Sequence, residues 1–130
     1  MAHPNEDVMR EGIAAFTRGD LDALREKYFA EDIRWHFPGR SPLAGDYEGV
    51  DQVIELFGLL FELTGGTYRV EVEDIVANDE HVFVLYTGRA ERAGRQLEER
   101  TVLVSRIRDG KQAETWIYPG DLYATDEFLS

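Results

Sequence analysis

The sequence predicts an α+β domain in which helices precede a mainly antiparallel sheet. Three observations carry this prediction. Apolar residues recur at helical spacing through the first half, whereas from Thr67 the period falls to two, with Tyr68, Val70 and Val72 alternating with Arg69, Glu71 and Glu73. The second half is then cut into strands by Asn78-Asp79, Ala93-Gly94 and Asp109-Gly110, the last a strong hairpin signal. Helices first and a meander afterwards define a layered α+β domain.

The elements follow in order. Asn5 is the expected N-cap of a first helix, with Glu6 and Asp7 at the positive end of its dipole, and Met9, Gly12, Ile13 and Phe16 on one face. Gly19 ends that helix and Asp20 caps a second, on which Leu21, Leu24 and Tyr28 share a face. Ile33–Phe37 reads as a strand. A third helix carries Val50, Val53, Ile54, Phe57, Leu60 and Phe61 and stops at Gly65-Gly66. The meander strands are Thr67 to the Asn78 turn, His81 to Arg89, Gln96 to Arg108 and Lys111 to Tyr118. Val82–Tyr86 and Thr101–Ile107 are apolar on both parities, which predicts a sheet covered on both faces: by helices on one, by a second subunit on the other.

The most distinctive stretch, leading from the first strand to the third helix, is Trp35-His36-Phe37-Pro38-Gly39-Arg40-Ser41-Pro42-Leu43-Ala44-Gly45-Asp46-Tyr47-Glu48-Gly49. A stretch this constrained that still carries Trp, His, Arg, Asp and Tyr is expected at the mouth of a binding pocket. Composition narrows the ligand. With 14 basic and 26 acidic residues the net charge is −12, which disfavours nucleic acid and anionic membranes as partners. There is no cysteine, so disulfides, thiolate catalysis and zinc–sulfur sites are excluded. The polar, acidic start of the chain does not read as a secretory signal and no apolar run approaches a membrane span, so a cytoplasmic location is expected. At 130 residues a single domain spanning residues 1–130 is expected.

The order of helix, Gly19-Asp20-Leu21-Asp22, helix, Trp-bearing strand, Pro38-Gly39, helix and meander ending in Glu114-Thr115-Trp116 resembles the SnoaL-like proteins. These belong to the wider ketosteroid isomerase-like and nuclear transport factor 2-like superfamily. The resemblance implies a cystatin-like cone: three N-terminal helices packed on a strongly curved, mainly antiparallel sheet around an apolar cavity. It also implies a homodimer through the outer sheet face. Steroid isomerases of the superfamily use a first-helix Tyr, an Asp beside the proline after the first strand, and a carboxylic acid on the meander. The matching positions here are Gly12, Phe37 (or His36 with a shift of one) and an apolar residue near Leu103, so steroid isomerisation is not implied. SnoaL-like cyclases resemble one another in an Asp near the last strand, and Asp121 is the comparable position.

The expected chemistry is cofactor-independent proton transfer (isomerisation, cyclisation, dehydration or epoxide opening) on an apolar cyclic or polyketide-like molecule. The alternative is a non-catalytic binding or dimerisation domain of the same fold. His36, an imidazole that titrates near neutrality, and Asp121 are the acid/base candidates; their other readings are a loop hydrogen bond and a helix cap. Trp35, Phe57, Trp116 and Tyr118 are the candidate ligand walls. Arg100 is a candidate polarising donor unless it pairs with Glu114, and Tyr47 donates either to a ligand or to a loop carbonyl. The histidines at positions 3, 36 and 81 have no metal-ligand spacing, and neither a metal nor a cofactor is expected.

Overall fold

The computed structural model of the chain describes residues 3–130. Helix α1 (Pro4–Thr17) leads into α2 (Leu21–Ala23), which widens at once into a π-helical turn over Leu24–Tyr28. Strands β1 (Phe29–Phe37) and β2 (Gly45–Glu48) precede α3 (Val50–Leu63). Strands β3 (Arg69–Ala77), β4 (His81–Arg92), β5 (Arg95–Arg108) and β6 (Lys111–Pro119) form the meander, and α4 (Leu122–Leu129) closes the chain. The expected α+β class and cone are observed, with one strand and one C-terminal helix more than the three helices and five strands anticipated.

The six strands form one sheet in the order β2-β1-β6-β5-β4-β3, antiparallel except where β1 runs parallel to β6. Register shifts in β1, in β3 between Val72 and Asp74, and in β6 at Ala113, opposite Arg106 and Ile107 of β5, interrupt the ladders. Each inserts extra twist and bends its strand, so the long sheet curls around α1 and α3. The hairpin turns at Ala93-Gly94 and Asp109-Gly110 both have two successive residues at positive φ, the geometry that matches strand twist.

The core lies inside the curl. Val53, Leu56, Phe57 and Leu60 of α3 meet Phe29, Ile33 and Trp35 of β1, while Met9 of α1 packs in a second cluster with Ile75, Val82, Val84 and Tyr86. The cap of α1 lies two residues earlier than expected. Pro4 occupies the first helical turn, where its fixed φ and missing N–H are favourable, so the cap falls to His3, whose Nδ1 accepts from Asn5 N at 3.1 Å. The Asn5 side chain is used instead across the fold, donating to the carbonyls of Asn78 and Asp79.

The Pro/Gly segment is a structural bracket rather than a pocket mouth. Asp126 of α4 accepts the N–H groups of Arg40 (2.9 Å) and Ser41 (3.2 Å). Gly39 sits at φ +99°, and a Cβ there would collide with the Asp126 carboxylate, so only glycine fits this bracket. Leu43 is fully buried beneath it. The segment then returns as β2, which pairs with β1 from Arg34↔Glu48 to Phe37↔Gly45.

Candidate functional site

A cavity of about 120 Å³ runs through the inside of the cone, far above the roughly 10–15 Å³ that a single water requires. Inward-facing aromatic rings from four elements build its wall. Trp35 of β1, only 6% exposed, meets Phe57 of α3 edge-on at 5.0 Å between ring centroids, and Phe29 at 5.9 Å. Phe16 of α1 lies 5.2 Å from Phe57 and 6.0 Å from Tyr68, again edge-on. Such rings bury large apolar area in fixed geometry and leave a flat-sided space between them. The expected wall residues Trp35 and Phe57 therefore do line the cavity.

The polar groups of the cavity gather where β4 and β5 face each other. In register, Tyr86 opposes Thr101 and Gly88 opposes Glu99. Tyr68 reaches in beside them: a Cβ on Gly88 would come within 2.8 Å of its hydroxyl, so the glycine is what makes room for that group. The Tyr68, Tyr86 and Thr101 hydroxyls gather here, close enough to influence one another, and Thr101 donates to the Glu99 carbonyl at 3.3 Å. Burial pushes the Tyr68 phenol up to about 12, outweighing the opposing effect of the neighbouring Tyr86 hydroxyl, and burial likewise raises Tyr86, with Tyr68 and the Glu99 charge adding to it. Both phenols therefore stay protonated donors at any physiological pH.

Glu99 is the one acidic or basic side chain among the residues that line the cavity, and it is 7% exposed. Its Oε1 accepts the Asp121 backbone N–H at 2.7 Å, the one hydrogen bond of this carboxylate among the described residues. The Pro119-Gly120 turn places that N–H. Gly120 donates to the Arg100 carbonyl at 2.9 Å, and a Cβ on Gly120 would press on that carbonyl at 3.0 Å. A carboxylate anchored through one oxygen in an apolar, aromatic-walled space has the equipment of a general base, with hydroxyl donors beside it.

Several expected site residues stand elsewhere, and strand parity explains most of them. Parallel pairing sets Trp35 opposite Thr115 and His36 opposite Trp116, so Trp35 and Thr115 face inward while His36 and Trp116 face outward. Trp116 and Tyr118 thus belong to the outer sheet face, not to the cone, and Tyr118 is 56% exposed. Arg100 also points outward and pairs with Glu73 at 2.8 Å rather than with Glu114. Tyr47 donates to the Leu43 carbonyl at 2.6 Å, which resolves its two readings in favour of the loop. Asp121 caps α4, accepting from Ala124 N at 3.1 Å, and contributes to the cavity through its main chain alone.

His36 lies on the outer face, stacked on Trp116 with centroids 5.6 Å apart. Its Nδ1 meets Asp46 and its Nε2 meets Glu114, each at 2.7 Å, and Arg106 approaches Glu114 at 3.4 Å. Partial burial pulls the imidazole pKa down, but the hydrogen bonds and charges of Asp46 and Glu114 outweigh it and leave the pKa raised. The bond from His36 holds the Glu114 carboxyl below its ordinary value. The sign follows from linkage. A raised His36 adds stability in full below about pH 6.5, and this is lost as pH rises through its folded pKa. Glu114 adds stability above its ordinary value near 4.5 that is lost on acidification. We expect the stability difference between the wild type and His36→Gln, measured by urea unfolding, to be largest near pH 5–6 and to shrink steadily above pH 7. A difference that does not change over this range would mean that the imidazole is not ion-paired.

Among the described residues no group of three or more His, Cys, Asp or Glu side chains is placed to hold a metal, and no helix is long and apolar enough to cross a membrane. The cavity carboxylate escaped the reading of the sequence. In β5 the residues Leu97, Glu99, Thr101 and Leu103 share one parity and all line the cavity. The same parity also carries Arg95 and Ser105, so alternation alone does not set Glu99 apart as buried.

Comparison with known proteins agrees with this architecture. The SnoaL-like domain model matches residues 9–115. An uncharacterized protein of Mycobacterium tuberculosis is 36% identical over 123 residues, covering 94% of this chain and 93% of the relative. The structure of Bal32a, from a soil-derived mobile gene cassette, superposes with a TM-score of 0.94 at 34% identity, covering 98% and 97% of the two chains. A protein of unknown function with a cystatin-like fold from Xanthomonas campestris gives 0.90 at 26% identity, covering 97% and 98%. At 20% identity the fold alone is shared with a putative SnoaL-like polyketide cyclase from Jannaschia, with a TM-score of 0.78 over 100% and 96% of the chains.

Proposed function

The chain belongs to the SnoaL-like domain family, with the nuclear transport factor 2-like cone, and from that premise we propose that it is a cofactor-independent enzyme that moves protons on an apolar ring compound held in the cone. The observation that carries the proposal is Glu99: one carboxylate in an aromatic cavity, anchored by Asp121 N–H and neighboured by the Tyr68–Tyr86–Thr101 hydroxyls. In this reading Glu99 takes a proton from a carbon next to a carbonyl. The electron pair left behind moves onto the carbonyl oxygen, where a tyrosine O–H stabilises it. Return of the proton to the same or a different carbon gives exchange or isomerisation, and attack by the enolate on a second carbonyl, whose oxygen then takes the proton back from Glu99, gives cyclisation.

Proton exchange tests the reading before any natural substrate is known. 2-Tetralone, a bicyclic ketone with acidic α-protons, is expected to lose its α-proton signals in D₂O faster with the protein than with buffer alone, as followed by ¹H NMR. 2-Naphthol, which resembles the enol, is expected to suppress this. Exchange no faster than in buffer would leave the cavity to a binding domain without catalysis.

For assembly we propose a homodimer through the outer sheet face. Phe83, Val104 and Trp116 line up across β4, β5 and β6, as do Leu85, Val102 and Tyr118, and Phe83 is 42% exposed. This apolar band is large for a surface left to water. Sedimentation velocity at micromolar concentration is expected to show a dimer that Phe83→Asp converts to a monomer. A monomeric wild type would remove the proposal.

A further inference from the structure

The charge inventory of the cavity carries the argument one step further, resting on the proposed ligand site. Among the described residues that line the cavity, no Lys, Arg or His offsets Glu99, whose protein partner is a single backbone N–H. Every other polar group there is uncharged: the hydroxyls of Tyr68, Tyr86, Thr101 and Thr125, the Gln112 amide and the Trp35 indole. The remaining wall is aliphatic or aromatic, and the faces of Trp, Tyr and Phe rings attract cations and repel anions. The whole chain carries a net charge of −12, which depletes anions and enriches cations near its surface.

We infer that this cavity selects its ligand by charge, admitting neutral and cationic ring compounds and rejecting carboxylates and other anions. The physical reason is the low dielectric of the site. A second negative group a few ångströms from Glu99 meets no counter-cation in the cavity wall to offset it. A hydroxyl or ammonium group, in contrast, gives the glutamate the donor that its single protein hydrogen bond leaves room for. The substrate class is therefore a ring ketone, alcohol or amine, and an acid of the same skeleton is excluded until its carboxyl is esterified or removed. A reaction that produces a neutral ring compound must supply it.

Three probes of one size and shape separate the possibilities: naphthalen-2-ylmethanol, naphthalen-2-ylmethylammonium and 2-naphthoate, each titrated at pH 7.5 and followed by naphthalene fluorescence. The alcohol and the ammonium are expected to bind at least about tenfold more tightly than 2-naphthoate. Glu99→Gln is expected to close that gap by weakening the ammonium and strengthening the naphthoate. Glu99→Asp, which keeps the charge, is expected to preserve it. Equal affinity of the three for the wild type overturns charge selection and leaves the ligand site standing. A gap that persists unchanged in Glu99→Gln also overturns it, since the selection then arises from the surface charge. Failure of all three to bind overturns the inference together with the ligand site on which it rests.

Discussion

Replacing Glu99 by Gln is expected to lower protein-catalysed exchange of the 2-tetralone α-protons by about 10²–10⁴-fold, the usual contribution of a positioned base. The substitution is nearly isosteric. The amide oxygen still accepts the Asp121 N–H, and the side chain still fills its place opposite Gly88. What it cannot do is accept a proton from carbon. Loss of exchange with an unchanged urea midpoint and retained 2-naphthol binding would therefore isolate the chemical role from a structural one. The same assay separates this assignment from the one suggested by the sequence. His36→Ala and Asp121→Ala are expected to stay within a few-fold of wild type, because neither side chain lines the cavity. Asp121→Ala should instead cost about 1 kcal/mol as a lost helix cap. A hundredfold loss in His36→Ala would move the chemistry to the outer face and contradict the cavity assignment.

Trp35→Ala is expected to be the most destabilising substitution in the wall, by about 3–5 kcal/mol, which for a chain of this size corresponds to a fall in Tm of about 10–20 °C. The ring is 6% exposed and holds Phe29 and Phe57 in fixed orientation. With a cavity already on one side, the neighbours have little packing from which to collapse into the new void, so the full cavity term is retained. Trp35→Phe is expected to cost much less. It keeps an aromatic face and removes the indole N–H, which is buried without a hydrogen-bond partner and itself carries a desolvation penalty of about 1–3 kcal/mol. Thermal and urea unfolding of the pair decide this. A Trp35→Ala variant within about 1 kcal/mol of wild type would mean that the ring is not part of the packed wall.

The elements were legible in the sequence wherever one local rule acted alone. The period of two from Tyr68, the Asp109-Gly110 turn and the stripe from Val50 to Phe61 appear as strand, hairpin and helix within a residue or two. What was not legible depended on pairing across the sheet. Strand β2 has only four residues, none of them apolar but Tyr47, and it exists because β1 offers an edge to pair with. Trp116 and Trp35 are alike in type, yet parallel pairing of β1 with β6 sends one outward and the other into the cone. Helix α4 is anchored by Arg40 and Ser41, more than eighty residues away in sequence, through Asp126. The candidate site suffers from the same limit. Residue types suited to acid/base work, such as His36 and Asp121, were visible, but a side chain's face is set by register. Glu99, the carboxylate that does face inward, lies among Arg and Glu neighbours that make it look like a solvated strand position.

The two tryptophans offer the most direct test of where a ligand sits. Trp35 lines the cone and Trp116 stacks on His36 outside it, so the ¹H–¹⁵N spectrum holds one indole reporter for each face. With the pair assigned by Trp116→Phe, titration with 2-naphthol is expected to shift the Trp35 indole resonance and to leave that of Trp116 in place. A shift confined to Trp116 would put the ligand on the outer sheet face and contradict the account.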